Sequence, residues 1–259
     1  MSPPVVRVAL FLAGYVAVLV GASVVKGMSS PQYAEVAWGT ISSVALLALT
    51  WLFLRREQRT LADLAMRPDR FTLARLLQAM LAGGAVYPMT LWLVSTLITP
   101  LRLSAPMWPR DSRWLVVVAS TLALACMEEL GFRGYALRTL VTAIGRWKAQ
   151  AVIAVAFGLT HVAYGWSWST VALGVVPSGL LFGAVALRGG LARAIGVHAA
   201  VNLSQWALGA KETPGIWTLD ADPAQTVQLA NWAPILAAAV TLLAAGVVWL
   251  WPAETLRQD

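Results

Sequence analysis

Charge is scarce in this chain of 259 residues: only 12% are Asp, Glu, Lys or Arg, against about 25% in a soluble domain. Mean hydropathy is +0.69. A deficit that large excludes an ordinary water-facing surface and points to lipid as the solvent for much of the molecule. Cysteine is nearly absent. Cys126 stands alone, which excludes an intrachain disulfide; it lies in an apolar run and reads as a small packed side chain. No repeat and no low-complexity tract occurs. The alternating apolar–polar pattern of a membrane β-barrel is missing. Despite a net charge of +7, no basic stretch with interleaved aromatics occurs, so the chain is not expected to bind nucleic acid. A removable signal peptide is not expected either, because only Arg7 precedes the first apolar run and no small-x-small cleavage site follows it.

What is present is a series of apolar runs rich in Leu, Val and Ala, each near the length that crosses a ~30 Å hydrocarbon core as a helix. Eight spans are predicted, over roughly 5–25, 36–54, 76–99, from near 114 to at least 130, 149–164, 169–187, 191–209 and 231–251. The expected fold is all-α, a polytopic transmembrane bundle forming one membrane-embedded domain over 1–259 with no extramembrane domain. Basic residues set its orientation. Arg55, Arg56, Arg59, Arg67, Arg70 and Arg75 fall in or beside the 55–75 loop. Arg133, Arg138, Arg146 and Lys148 fall in a predicted 131–148 connection, and Arg188 and Arg193 flank the sixth–seventh turn. With Arg7 and Arg257, 14 of the 19 basic residues then lie on the side of the two termini. Lys26, Arg102, Arg110, Arg113 and Lys211 lie opposite, with Glu212, Asp220 and Asp222. The expectation is a multi-pass protein of a bacterial inner membrane with both termini cytoplasmic. Trp108, Trp114, Trp166, Trp168 and Trp251 near span ends read as interfacial anchors. Gly179 and Gly183 form a GxxxG that permits close helix packing and carries little weight for a dimer; oligomeric state is not legible.

Three clusters break the apolar pattern. An ionisable group costs at least ~2.5–3.5 kcal/mol at the centre of a membrane helix and usually faces a polar cavity. The first cluster is Glu128-Glu129 with Arg133. Glu129 and Arg133 are four apart and share a helix face; Glu128 is turned about 100° away without a local partner. The second is Phe157 with His161, and the third His198 with Asn202. A single intramembrane His is often only a hydrogen-bonded packing residue. Here both histidines of the chain and the adjacent glutamates fall in the three clusters, which favours one shared site. A Glu assisted by His suits hydrolysis through an activated water, with Asn202 donating to an oxyanion. Glu128, His161 and His198 are also adequate ligands for a divalent metal such as zinc, although no HExxH spacing is present. The residues leave these alternatives open. A proton-coupled transporter using the same groups, disfavoured by the lack of an inverted repeat, and a non-catalytic immunity or scaffold protein are the competing readings.

The ordered set EExxxR, FxxxH and HxxxN resembles the CAAX protease and bacteriocin-processing (Abi) family of intramembrane proteases, which includes the type II CAAX prenyl endopeptidases. The resemblance covers a protease-like core of about 114–209. It implies an eight-helix membrane endopeptidase in which Glu128 activates water with His161. Glu129, Arg133 and Phe157 support the site, and His198 and Asn202 stabilise the oxyanion or orient the water. The implied substrate is a membrane-associated peptide or protein, lipidated or not. Members are described both as metalloproteases and as metal-independent glutamate proteases.

One geometric problem arises from the predicted spans. A fourth span ending at Leu130 sets Glu128 near one membrane face, while His161 lies at the other end of the fifth. The two come level only if the fourth helix continues to about Gly145, or if the fifth is bent.

Overall fold

The structure, a computed structural model, describes residues 2–104, 106–107, 112–211 and 213–250. Trp108, Arg110, Glu212, Trp251 and Arg257 from the sequence reading lie outside the described residues. Eight long helices run through the rest: α1 (Pro4–Met28), α2 (Ala34–Arg56), α3 (Thr72–Leu97), α4 (Arg113–Ile144), α5 (Arg146–Ala163), α6 (Trp168–Gly189), α7 (Leu191–Ala207) and α8 (Thr226–Leu250). The only strands among the described residues, β1 (Arg102–Leu103) and β2 (Leu219–Asp220), pair antiparallel. The fold is an all-α bundle.

Among the described residues, six helical segments are long and apolar enough to cross a membrane: α1, α2, α3, α4, α6 and Pro223–Leu250, which contains α8. The two helices outside that group, α5 and α7, carry His161 and the His198–Asn202 pair. Helix α7 is short at 17 residues, and α5 carries Arg146, Lys148, Gln150 and His161 among its 18.

The fourth span is longer than the sequence pattern suggested. The predicted 131–148 connection does not exist as a loop, because α4 runs unbroken for 32 residues to Ile144. A π-helical turn at Leu130–Gly134 interrupts its α-helical geometry. Arg133 had suggested a loop, yet it is 1% exposed and belongs to the core. Burial among partners makes a charge tolerable inside a bundle, so Arg133 reports on packing and not on orientation. Arg138 is likewise helical and donates to the carbonyl of Ala186 on α6.

Glycine joins the helices closely. Gly145 (φ +79°) and Gly190 (φ +86°) are the single residues between α4 and α5 and between α6 and α7. Each is left-handed, a conformation that suits glycine, and each N–H caps its helix by donating to Val141 O or Ala186 O. At the α3–α7 crossing a Cβ on Gly83 would lie 2.7 Å from Val197 Cα, and one on Gly196 would lie 2.4 Å from Leu76 O. The GxxxG pair packs within the chain: Gly179 and Gly183 of α6 face Ala154 and Gln150 of α5.

Two apolar clusters result. One joins α1, α2, α4, α5 and the start of α6 around Phe11, Tyr15, Leu46, Phe132 and Tyr135. The other joins α3, α6, α7 and α8 around Phe182, Val185, Val197 and Val201. Helix α4 touches α1, α2, α5 and α7, so the glutamates sit where both halves meet. At the end of the bundle holding the 57–71 loop, buried Glu57 gathers α1, α2 and α4. It pairs with Arg7 (2.9 Å) and Arg59 (3.1 Å) and accepts a hydrogen bond from Tyr135.

Candidate active site

Continuation of α4 through Ile144 resolves the depth problem. Glu128 and His161 stand 17 and 16 residues from the Gly145 turn, about 25 Å along each helix at 1.5 Å per residue. They are level, and with His198 and Asn202 of α7 they line one cavity of about 470 Å³ between α4, α5, α6 and α7. All three sequence clusters therefore meet at one place.

The adjacent glutamates have different surroundings. Glu129 is fully buried. Its Oε1 accepts from Arg133 Nη1 (3.2 Å) and from His198 Nδ1 (2.9 Å), while Oε2 has no hydrogen-bond partner. The Arg133 guanidinium also donates to Gly179 O (3.1 Å) and lies 4.4 Å from the centre of the Phe157 ring. A buried carboxylate needs such a counter-charge to remain in an apolar interior. Glu128 points into the cavity with its side chain 19% exposed, and its Oε2 lies 3.5 Å from His198 Nε2. Glu129 anchors the site, and Glu128 faces what enters it.

The histidines are oriented by what they touch. His161 Nδ1 is 2.9 Å from Phe157 O, one turn back on α5. A carbonyl only accepts, so in the neutral ring the proton sits on Nδ1 and the Nε2 lone pair is left for the cavity. The Phe157 and Trp166 rings meet His161 edge-on at 4.7 and 5.1 Å, which explains the FxxxH spacing. Phe157 touches Arg133 and His161 together and couples the buried ion pair to the cavity wall. His198 stacks on Phe182 at 4.3 Å and is held between the two glutamates. Its Nδ1–H donates to Glu129 Oε1, which turns Nε2 toward Glu128 Oε2; Nε2 carries a proton to donate there only in the doubly protonated ring.

Asn202 is bonded to a loop residue and not to the glutamates. Its Oδ1 accepts from Lys211 Nζ at 3.0 Å. Lysine carries no acceptor, so this bond turns the amide oxygen to Lys211 and leaves the NH₂ group for the cavity that Asn202 lines. Lys211, Phe182 and Trp166 were not legible as site residues: one is a loop cation and two are aromatics among many. The loop holding Lys211 is fixed by Trp206 Nε1–H donating to Pro214 O (2.9 Å) and by Ile216 N–H donating to Ala207 O (3.0 Å).

The donor set does not fit a metal centre. Glu128 and His198 are neighbours, but His161 does not complete a set with them. Among the described residues no group of three or more His, Cys, Asp or Glu side chains is placed to hold a metal ion.

Comparison with known proteins agrees with the motifs. No curated protein matches the chain. The segment that builds the cavity, residues 109–204, matches the family model described as Type II CAAX prenyl endopeptidase Rce1-like.

Proposed function

We propose that the chain is an intramembrane endopeptidase of the glutamate type, embedded in a bacterial inner membrane with both termini cytoplasmic. The carrying observation is the division of labour between the glutamates: Glu128 alone of the pair reaches the cavity, beside His198 and across from His161.

In this reading a water molecule sits between Glu128 and the Nε2 lone pair of His161. Glu128 takes a proton from that water as it attacks the scissile carbonyl, the general-base role for which a carboxylate is suited. The carbonyl oxygen becomes an oxyanion facing the Asn202 NH₂ group, a donor turned to the cavity before the reaction starts; His198 Nε2 adds a second donor when the ring is the imidazolium, with Nδ1–H kept on Glu129. Collapse of the tetrahedral intermediate breaks the C–N bond, and Glu128 returns its proton to the leaving amine. Glu129 and Arg133 hold His198 in register without touching substrate. No step is routed through a metal. The substrate is a membrane-associated peptide or protein, lipidated or not, that lies extended across the cavity.

The test is a cleavage screen with protein purified in detergent against membrane peptides with and without a lipid anchor, products being identified by mass. Cleavage is expected from wild type and lost from His161→Gln and His198→Gln. Cleavage at wild-type rate in both variants overturns the proposal.

A further inference from the structure

The cavity and the basic residues lie at opposite ends of the bundle. The Gly145 and Gly190 turns and the 57–71 loop share one end, where a Cβ on Gly190 would lie 3.8 Å from Ala65 O. Eleven of the 17 Lys and Arg among the described residues stand at that end, and four stand at the other. Arg133 and Arg138 are inside α4 and count for neither. The bias survives their removal, and the positive-inside rule places the arginine-rich end in the cytoplasm.

The mouth of the cavity is at the other end. His161 is two residues from the last residue of α5, and Asn202 is five from the last residue of α7. Trp166, Lys211 and Thr213, all on loops of that end, complete the lining. Toward the arginine-rich end the cavity floor is closed by buried Glu129, Arg133 and Phe157, all at most 2% exposed.

We infer that the catalytic cavity opens on the non-cytoplasmic side, so the substrates are peptides presented from that side: exported peptides, or the outward juxtamembrane segments of membrane proteins. Water reaches Glu128 by the same route. A chain terminus displayed on the cytoplasmic leaflet meets the closed, arginine-rich end. This inference rests on the protease reading for the word substrate; the facing of the cavity stands by itself.

Two measurements separate these parts. In a Cys126→Ala background, Ser169→Cys marks the cavity end and Ala62→Cys the arginine-rich end; both positions are exposed. A membrane-impermeant maleimide applied to intact spheroplasts is expected to label Ser169→Cys at once and Ala62→Cys only after permeabilisation. The reverse pattern overturns the inference. In sealed vesicles, a soluble peptide that wild type cleaves in detergent is expected to be cleaved by right-side-out vesicles. Cleavage by inverted vesicles alone also overturns the inference while leaving the protease reading intact. Absence of cleavage even in detergent defeats the protease reading instead, and the labelling pattern still decides the facing.

Discussion

Replacing Arg133 with Met removes the cation around which Glu129 is buried. Arg133 makes a charge-assisted bond to Glu129 Oε1 at 3.2 Å and another to Gly179 O at 3.1 Å, each worth about 1.5–3 kcal/mol. It also stands over the Phe157 ring at 4.4 Å, a contact worth about 2 kcal/mol when desolvated. Methionine recovers part of the loss through apolar packing, but it leaves a carboxylate with 0% exposure facing only His198. Breaking a buried pair from one side costs about 3–5 kcal/mol, and Arg133→Met is expected to fall in that range. The assay is equilibrium unfolding in mixed detergent and SDS. Glu129→Leu combined with Arg133→Met is expected to be milder than Arg133→Met alone, since no buried charge is then stranded. What remains is mainly the unpaired His198 Nδ1–H, about 1–3 kcal/mol. A loss below about 1 kcal/mol in Arg133→Met, or a double variant as destabilised as the sum of the singles, refutes the reasoning.

Other perturbations address separate parts of the account. Lys211→Met frees the Asn202 amide to flip and is expected to lower kcat, by up to the about 10²-fold cost of a lost oxyanion donor, with KM little changed; Lys211→Arg restores most of it, and steady-state kinetics reads the split. Gly131→Ala sets a Cβ 2.4 Å from the Tyr15 ring and is expected to cost about 1–3 kcal/mol by overpacking the α1–α4 contact, measured by the same unfolding assay. In the 57–71 loop, the Thr60 backbone N–H donating to Asp63 at 2.6 Å, with help from the Thr60 hydroxyl at 3.0 Å, holds the Asp63 carboxyl below its ordinary range. A depressed folded value gives stability that is present above the unfolded value of about 4 and lost as pH falls through the folded one. Hydrogen exchange at the Thr60 amide is therefore expected to lose protection at the acid end in wild type, and to be unprotected at every pH in Asp63→Ala.

Most of the architecture was written in the apolar runs, because lipid forces every spanning segment to satisfy its own backbone as a helix. The boundary of α4 was not, and the reason is Arg133. A basic residue after a long apolar run normally marks a membrane face, yet this one is neutralised by Glu129 and buried. The same pair, at i and i+4, was the legible clue that Glu129 and Glu128 differ. Convergence of the three clusters depended on matched heights along α4 and α5, which only the unbroken helix supplies. Lys211 left no trace in the sequence pattern: its contact with Asn202 is made by a loop that folds back after α7.

The central claim is that Glu128, and not its buried neighbour, does the chemistry. The direct measurement is the cleavage rate of Glu128→Gln against wild type in the same detergent, with unfolding followed on both. Gln keeps the shape and cannot take a proton, so the account predicts a rate lower by at least about 10²-fold and stability within about 1 kcal/mol of wild type, as suits a cavity-facing side chain. A Glu128→Gln protein that folds and cleaves at the wild-type rate contradicts it.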